Sequence, residues 1–269
     1  MKFPIGIQDF KKIREGGFVY VDKTALLYKL ANEGTIYFLS RPRRFGKSLL
    51  VSTLKYYFGG ERELFNGLAI DALEKDWNSY PIFHVDFNST NYTKSGDALS
   101  KLIKGTVEDW ERQYGYVGNE EFDYGKRFAE LLKHVHATTG KRCVVLVDEY
   151  DKPLLDVLDS GMVEQGGDGK EMLLEDINRE ILKDFYSAFK SADQDLRFVL
   201  LTGVTKFSQV SVFSGFNQPA DISMSTVYDA VCGITEDELE AVFHDEMDVM
   251  AEEMDAVSYT HLTLPTIYS

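Results

Sequence analysis

No lysine or arginine follows Lys206 in this 269-residue chain. Residues 207–269 carry 12 Asp and Glu and no basic side chain, a local charge of −12. Residues 1–206 hold 29 Lys and Arg against 32 Asp and Glu, so they stand near neutrality at −3, and the whole chain at −15. Such acidity argues against broad non-specific nucleic-acid binding and leaves room only for a local basic patch in the first part. Cysteine is scarce too: Cys143 lies inside an apolar run and Cys232 stands alone, which excludes a disulfide framework or cysteine metal cluster. Both read as buried thiols. No apolar run approaches the roughly 18 to 20 residues that a membrane-crossing helix needs. The opening Met1-Lys-Phe-Pro-Ile-Gly-Ile7 lacks a signal peptide's apolar stretch, making the cytoplasm the expected compartment. Internal repeats are missing as well.

What is present suits a soluble α/β fold, and the length fits one large core or a core with a small appended unit. Residues 35–40, 81–87, 143–147 and 197–202 are short apolar runs of the kind that forms buried parallel strands. Helical spacing separates them. Leu50, Leu54, Tyr57 and Phe58 share a face closed by Gly59-Gly60; Leu99, Leu102, Ile103, Val107 and Trp110 give another. Phe128, Leu131, Leu132 and Val135 precede a stop near Gly140, and Ile177, Ile181, Phe185 and Phe189 follow. Strands alternating with such helices predict a central, mostly parallel sheet in a three-layer sandwich. Residues 161–169 are rich in glycine and read as a mobile connection or a lid. Thr235-Glu-Asp-Glu238 is a capping box opening an acidic amphipathic helix, with Leu239, Val242, Phe243, Met247, Met250 and Met254 on one face. The expected division is therefore a core over 1–232, with 1–34 leading into it, and a helix over 233–256 that starts a lid or second domain. Residues 257–269 lose all charge and helical spacing, and read as a non-native or disordered tail or else as a terminal strand. His261 falls there and receives no role.

Chemistry gathers around Thr35-Ile-Tyr-Phe-Leu-Ser-Arg-Pro-Arg-Arg-Phe-Gly-Lys-Ser48. An apolar strand runs into a loop ending Gly46-Lys47-Ser48, and a helix follows at once, which is the order of a phosphate-cradling P-loop. Arg43, Arg44, Phe45, Gly46, Lys47, Ser48 and Leu49 are the candidate nucleotide contacts. Lys47 would reach the outer phosphates and the Ser48 hydroxyl would hold Mg²⁺. The pattern G-x-x-x-x-G-K-[S/T] asks for glycine at position 41, where this chain has Arg41, and Pro42 removes a donor. With Arg43, Arg44 and Lys47, Arg41 makes four positive charges in seven residues, serving either phosphates or a partner.

Cys143-Val-Val-Leu-Val-Asp148-Glu149 delivers two carboxylates to the C-terminal end of a strand, where open α/β sheets bind ligands. Asp148 suits the Mg²⁺ shell and Glu149 a base that orients water. Thr202, ending the fourth run, either senses the γ-phosphate or caps the next turn. Asp86 and Asp151 are candidates for the surrounding shell. Asp22, Lys23 and Thr24 either contact the nucleotide or cap a helix over 25–30.

Several ordered blocks together resemble the AAA-ATPase-like family of bacterial P-loop proteins. They are Asp9-Phe-Lys-Lys-Ile-Arg14, Tyr20-Val-Asp-Lys-Thr24, Arg41-Pro-Arg-Arg-Phe-Gly-Lys-Ser48, Val147-Asp-Glu-Tyr-Asp-Lys-Pro153 and Thr202-Gly-Val-Thr-Lys-Phe207. Ser214-Gly-Phe-Asn217 and Cys232-Gly-Ile-Thr-Glu236 extend the likeness, which spans roughly residues 3–255. Within that family Arg-Pro-Arg-Arg-Phe-Gly-Lys-Ser is the usual P-loop form, so the resemblance implies that Arg41 is not damage. It also implies ATP binding with Mg²⁺ and hydrolysis of the nucleoside triphosphate. Longer relatives carry a C-terminal domain similar to PD-(D/E)XK nucleases, and this chain ends before one would fit. The expected function is thus an ATPase core with a regulatory or nuclease-associated output. An ATP-holding switch that does not turn over, and a DNA-associated motor or nuclease regulator, are the competing readings. ATP is the expected partner, a protein partner stays open, and no arginine finger or oligomeric state is assigned.

Overall fold

The computed structural model describes residues 1–165, 169, 171–205 and 219–253, the last four without side chains. Lys206, Phe207, Ser214–Asn217 as a block, the middle of 161–169, Met250, Met254 and the tail with His261 therefore lie outside the described residues or side chains.

Five strands make the main sheet, in the order β2-β3-β6-β1-β7. These are β1 (Ile36–Ser40), β2 (Ile82–Asp86), β3 (Cys143–Asp148), β6 (Leu196–Gly203) and β7 (Ala220–Asp221). Each described pairing within it is parallel. The four apolar runs became the four longer strands; β7, only two residues long, carries too little pattern to be seen in the sequence.

Alternation along each strand explains the layers. In β3, Cys143, Val145 and Val147 join one buried cluster while Val144 and Leu146 join another. β6 divides likewise, Val199 and Leu201 to one side, Phe198 and Leu200 to the other. Both sheet faces are thus covered, which is why these strands read as unbroken apolar runs instead of alternating ones. On the first face lie α5 (Ala98–Tyr114), α6 (Tyr124–Thr139) and α8 (Leu174–Ser191). The second face is covered by α1 (Phe10–Glu15), α2 (Thr24–Glu33), α3 (Lys47–Phe58) and α4 (Ala69–Leu73). The expected three-layer α/β sandwich is what the chain forms.

α5 and α6 are joined by a buried ion pair. Arg127 donates from Nε and Nη2 to the two oxygens of Glu111, each at 2.6 Å. A Cβ at Gly118 would collide with this pair.

Two expectations changed on the way. The glycine-rich stretch is flanked by a short antiparallel hairpin, β4 (Val163–Gln165) with β5 (Glu171–Leu173), where a mobile connection or a lid without strands was expected. α7 (Lys152–Leu155) precedes it, with Pro153 near its start. The acidic helix α9 (Glu236–Glu253) does begin with a reciprocal capping box, Glu238 N–H to Thr235 Oγ1 and Thr235 N–H to the Glu238 carboxylate. It is broken at Phe243 (φ −120°, ψ 17°), so the single apolar face foreseen for it is interrupted. Phe243 stacks on Phe3, and Lys23 pairs with Glu238, fastening α9 to the N-terminal segment.

Candidate active site

β1 ends at Ser40 and α3 begins at Lys47, leaving the six residues between them to turn the chain at the C-terminal edge of the sheet. Gly46 makes the turn into the helix at φ 84°, a conformation that a Cβ disfavours. Arg44 shares it at φ 69° although it is not glycine. As a result, no backbone N–H from Arg43 to Leu49 donates to another group among the described residues. A run of unfilled donors at a helix N-terminus forms a concave anion site.

Lys47 is buried and lies under this loop. Its Nζ donates to the carbonyls of Arg41 (3.1 Å) and Pro42 (3.3 Å), and stands 3.1 Å from Glu149 Oε1. Glu149 follows β3 at φ 55°, the second non-glycine residue of the site in the left-handed region. Strain of this kind collects where a side chain must be aimed.

Asp148, at the end of β3, is buried and accepts a 2.6 Å hydrogen bond from the Thr202 hydroxyl. Thr202 itself is fully buried in β6, which lies between β1 and β3. Its hydroxyl therefore orients Asp148 and also meets the Glu149 N–H at 3.4 Å. Asp86 ends β2 directly opposite Asp148 in register. Burial, then the charge of Asp148, pushes its carboxyl above the ordinary range, against the pull of the Asn88 N–H.

Asp151 ties β3 to β6: its Oδ2 accepts from the N–H groups of Val204 and Thr205 and from the Thr205 hydroxyl. Gly203 must be glycine here, since a Cβ would run into the Tyr150 ring and Asp151. Asp22 is a capping residue. Its Oδ1 accepts from the Thr24 N–H and hydroxyl, its Oδ2 from the Ala69 N–H, so it fixes the starts of α2 and α4 together. Thr24 Oγ1 in turn accepts from Ile70.

The residue that broke the P-loop pattern has a definite task. The Arg41 guanidinium donates to the carbonyls of Ser40, Ser223 and Asp229, and Ser40 N–H donates to Ser223 Oγ. Gly233 N–H donates to the Phe45 carbonyl at 3.0 Å. Ser223, Asp229 and Gly233 escaped the reading of the sequence; the Cys232-Gly-Ile-Thr-Glu236 block was the only trace of them. Cys232 is buried beside this contact, and burial pushes its thiol up to about 12 even with Arg41, Lys47 and Lys23 pulling the other way. Arg43 and Arg44 are exposed and have no partner among the described residues.

The donor set suits a magnesium nucleotide. The Ser48 hydroxyl and one oxygen of Asp148 have no protein partner among the described residues, and both are hard oxygen ligands of the sort Mg²⁺ takes. Two cavities, of 460 Å³ between α5, α6 and α8 and of 160 Å³ beside Arg197, lie away from this edge. Phosphate held by an open loop needs no enclosed cavity. Among the described residues no helix is long and apolar enough to cross a membrane.

A curated relative from Azotobacter chroococcum mcd 1, called "Uncharacterized protein in vnfD 5'region", is 42% identical over 251 residues. The match takes in 91% of this chain and 45% of the relative, so the chain spans less than half that protein's length. The family model described as predicted AAA-ATPase matches residues 4–213, a range that holds the loop, Asp148, Glu149 and Thr202 but stops short of Ser223 and Gly233. Sequence, sheet order and loop geometry converge on one placement: this chain belongs to the AAA-ATPase-like family.

Proposed function

We propose that the chain is the core of a Mg²⁺-dependent ATPase. The observation that carries this reading is the unbroken run of uncommitted N–H groups from Arg43 to Leu49, facing the edge where Asp148 and Glu149 end β3. These amides and the α3 N-terminus hold the phosphates, and Lys47 leaves the Arg41 and Pro42 carbonyls to reach the β- and γ-phosphates. Ser48 and Asp148 would hold Mg²⁺, which would supply positive charge against the phosphates during transfer. Thr202 keeps Asp148 aimed. Glu149 takes a proton from the attacking water as its oxygen bonds to the γ-phosphorus. The bond to the ADP oxygen breaks, giving ADP and phosphate.

The Lys47–Glu149 contact supports a second reading, an ATP-binding switch with little turnover. While Glu149 is paired, it is not free to act as a base. In either case the output would go to a regulatory or nuclease-associated module of the kind that the greater length of the relative leaves room for.

ATP binding with Mg²⁺ tests the site. Lys47→Ala should weaken ATP binding by about 30-fold or more, from the loss of charge-assisted hydrogen bonds worth about 1.5–3 kcal/mol each. Equal binding by wild type and variant, at unchanged melting temperature, would reject the site.

A further inference from the structure

The nucleotide edge is poor in usable positive charge. β2 and β3 bring Asp86, Asp148 and Glu149 to it, while Lys47 is the buried cation facing them and already lies 3.1 Å from Glu149. A nucleoside triphosphate adds more negative charge. The neighbouring basic groups are engaged elsewhere: the Arg41 guanidinium on the carbonyls of Ser223 and Asp229, Lys23 on Glu238, and Lys152 on Asp156. The segment that bonds to the loop through Gly233, and α9 beyond it, offers nothing, because the chain has no Lys or Arg after position 206.

Among the described residues, that leaves Arg43 and Arg44. Both are exposed on the loop itself, a few residues before Lys47, and neither is paired among the described residues. Arg44 also sits at φ 69°, where glycine would be accommodated more easily. A long cationic side chain is thus retained at a position whose backbone favours having none. Backbone strain accepted for a side chain at a site edge points to that side chain's use there.

Resting on the ATPase reading above, we infer that the Arg43 and Arg44 side chains fold over the terminal phosphate and stabilise the charge developing on it during transfer. The chain then supplies its own arginines in cis. Turnover needs no arginine from a second copy or a partner. Guanidinium suits this task, since its planar fork meets two phosphate oxygens at once.

The test compares the full chain with Arg43→Ala/Arg44→Ala, measuring Mg·ATP and Mg·ADP affinity and single-turnover phosphate release over a range of protein concentrations. The wild type should prefer ATP to ADP and release phosphate at a per-chain rate independent of concentration. The double variant should bind ADP within about threefold, lose most of its preference for ATP, and release phosphate more slowly by about 1,000-fold or more. Arg43→Lys/Arg44→Lys should regain the ATP preference but only part of the rate. An ATP preference and rate that survive the double substitution would overturn the inference and assign the pair to a partner surface. A per-chain rate rising with protein concentration would overturn it too, by placing the arginine in trans. The ATPase reading fails separately, in equal ATP binding by wild type and Lys47→Ala. The affinity ratio reads the inference even where turnover is slow.

Discussion

Arg127 and Glu111 meet through two 2.6 Å hydrogen bonds, whereas Lys47 reaches Glu149 through one contact of 3.1 Å. Both cations are buried, yet their surroundings differ in kind. The first pair joins two regular helices, α5 and α6, and a Cβ at Gly118 would already collide with it. The second joins the first residue of α3 to Glu149, whose φ is 55°, beside amides without acceptors among the described residues, and Lys47 keeps two loop carbonyls as alternative partners. A closed bidentate pair resists exchange, while a single contact with substitutes at hand invites it. The difference separates a fastening of the fold from the lysine that the proposed ATPase assigns to the phosphates.

Breaking each pair should expose that contrast. Arg127→Met strands a buried carboxylate and should cost about 3–5 kcal/mol. At roughly 2–4 °C per kcal/mol this means a fall in melting temperature of about 6–20 °C, with ATP affinity unchanged. A fall of only 1 or 2 °C, on the order of measurement error, would erase the distinction. Glu149→Gln should change the melting temperature by no more than about 4 °C, since Lys47 retains its carbonyl partners. The same change should slow phosphate release by about 100-fold or more while ATP binds as tightly or more tightly. Unaltered release would favour the switch reading over the enzyme.

The smallest effect concerns His84 on β2, whose Nε2 is buried without a partner among the described residues. Burial, then Lys55, lowers its pKa below 6.5, opposed by Asp148 and Asp86. The unfolded chain therefore takes up a proton near pH 6.5 that the folded chain refuses, so its share of stability is present above that pH and lost as pH falls. The melting temperature of wild type should drop faster from pH 6.5 to 5.5 than that of His84→Gln. Parallel curves would remove His84 from the account.

How much of this was legible beforehand follows from the range of the interactions. β1, β3 and β6 announced themselves because both their faces are buried, β2 as a short apolar run with one face buried, and the P-loop and Asp148-Glu149 because their chemistry is local in sequence. Thr202 was visible as a polar residue at a strand end, but its bond to Asp148 depends on β6 lying between β1 and β3, which sequence order does not disclose. Arg41 looked like a defect for the same reason: its carbonyl partners are 182 and 188 residues away. Asp22 was one of several polar residues in a turn until Ala69 supplied the far end of its cap. The Glu111–Arg127 pair went unforeseen because its residues sit on two different helices, with nothing between them in the sequence to announce the contact.

The Arg41 contacts also set a schedule. On the ribosome the chain emerges from its N-terminus, and the loop at 41–48 is made long before Ser223, Asp229 and Gly233 exist. At about 5–20 residues per second, roughly 180 residues take on the order of 10 to 40 seconds to add. The strands and helices of the first two hundred residues can assemble in that interval, but the loop lacks its outer brace until Ser223, Asp229 and Gly233 arrive. The loop therefore gains its brace only after Ser223 and Asp229 have been made, through one arginine and two distant carbonyls.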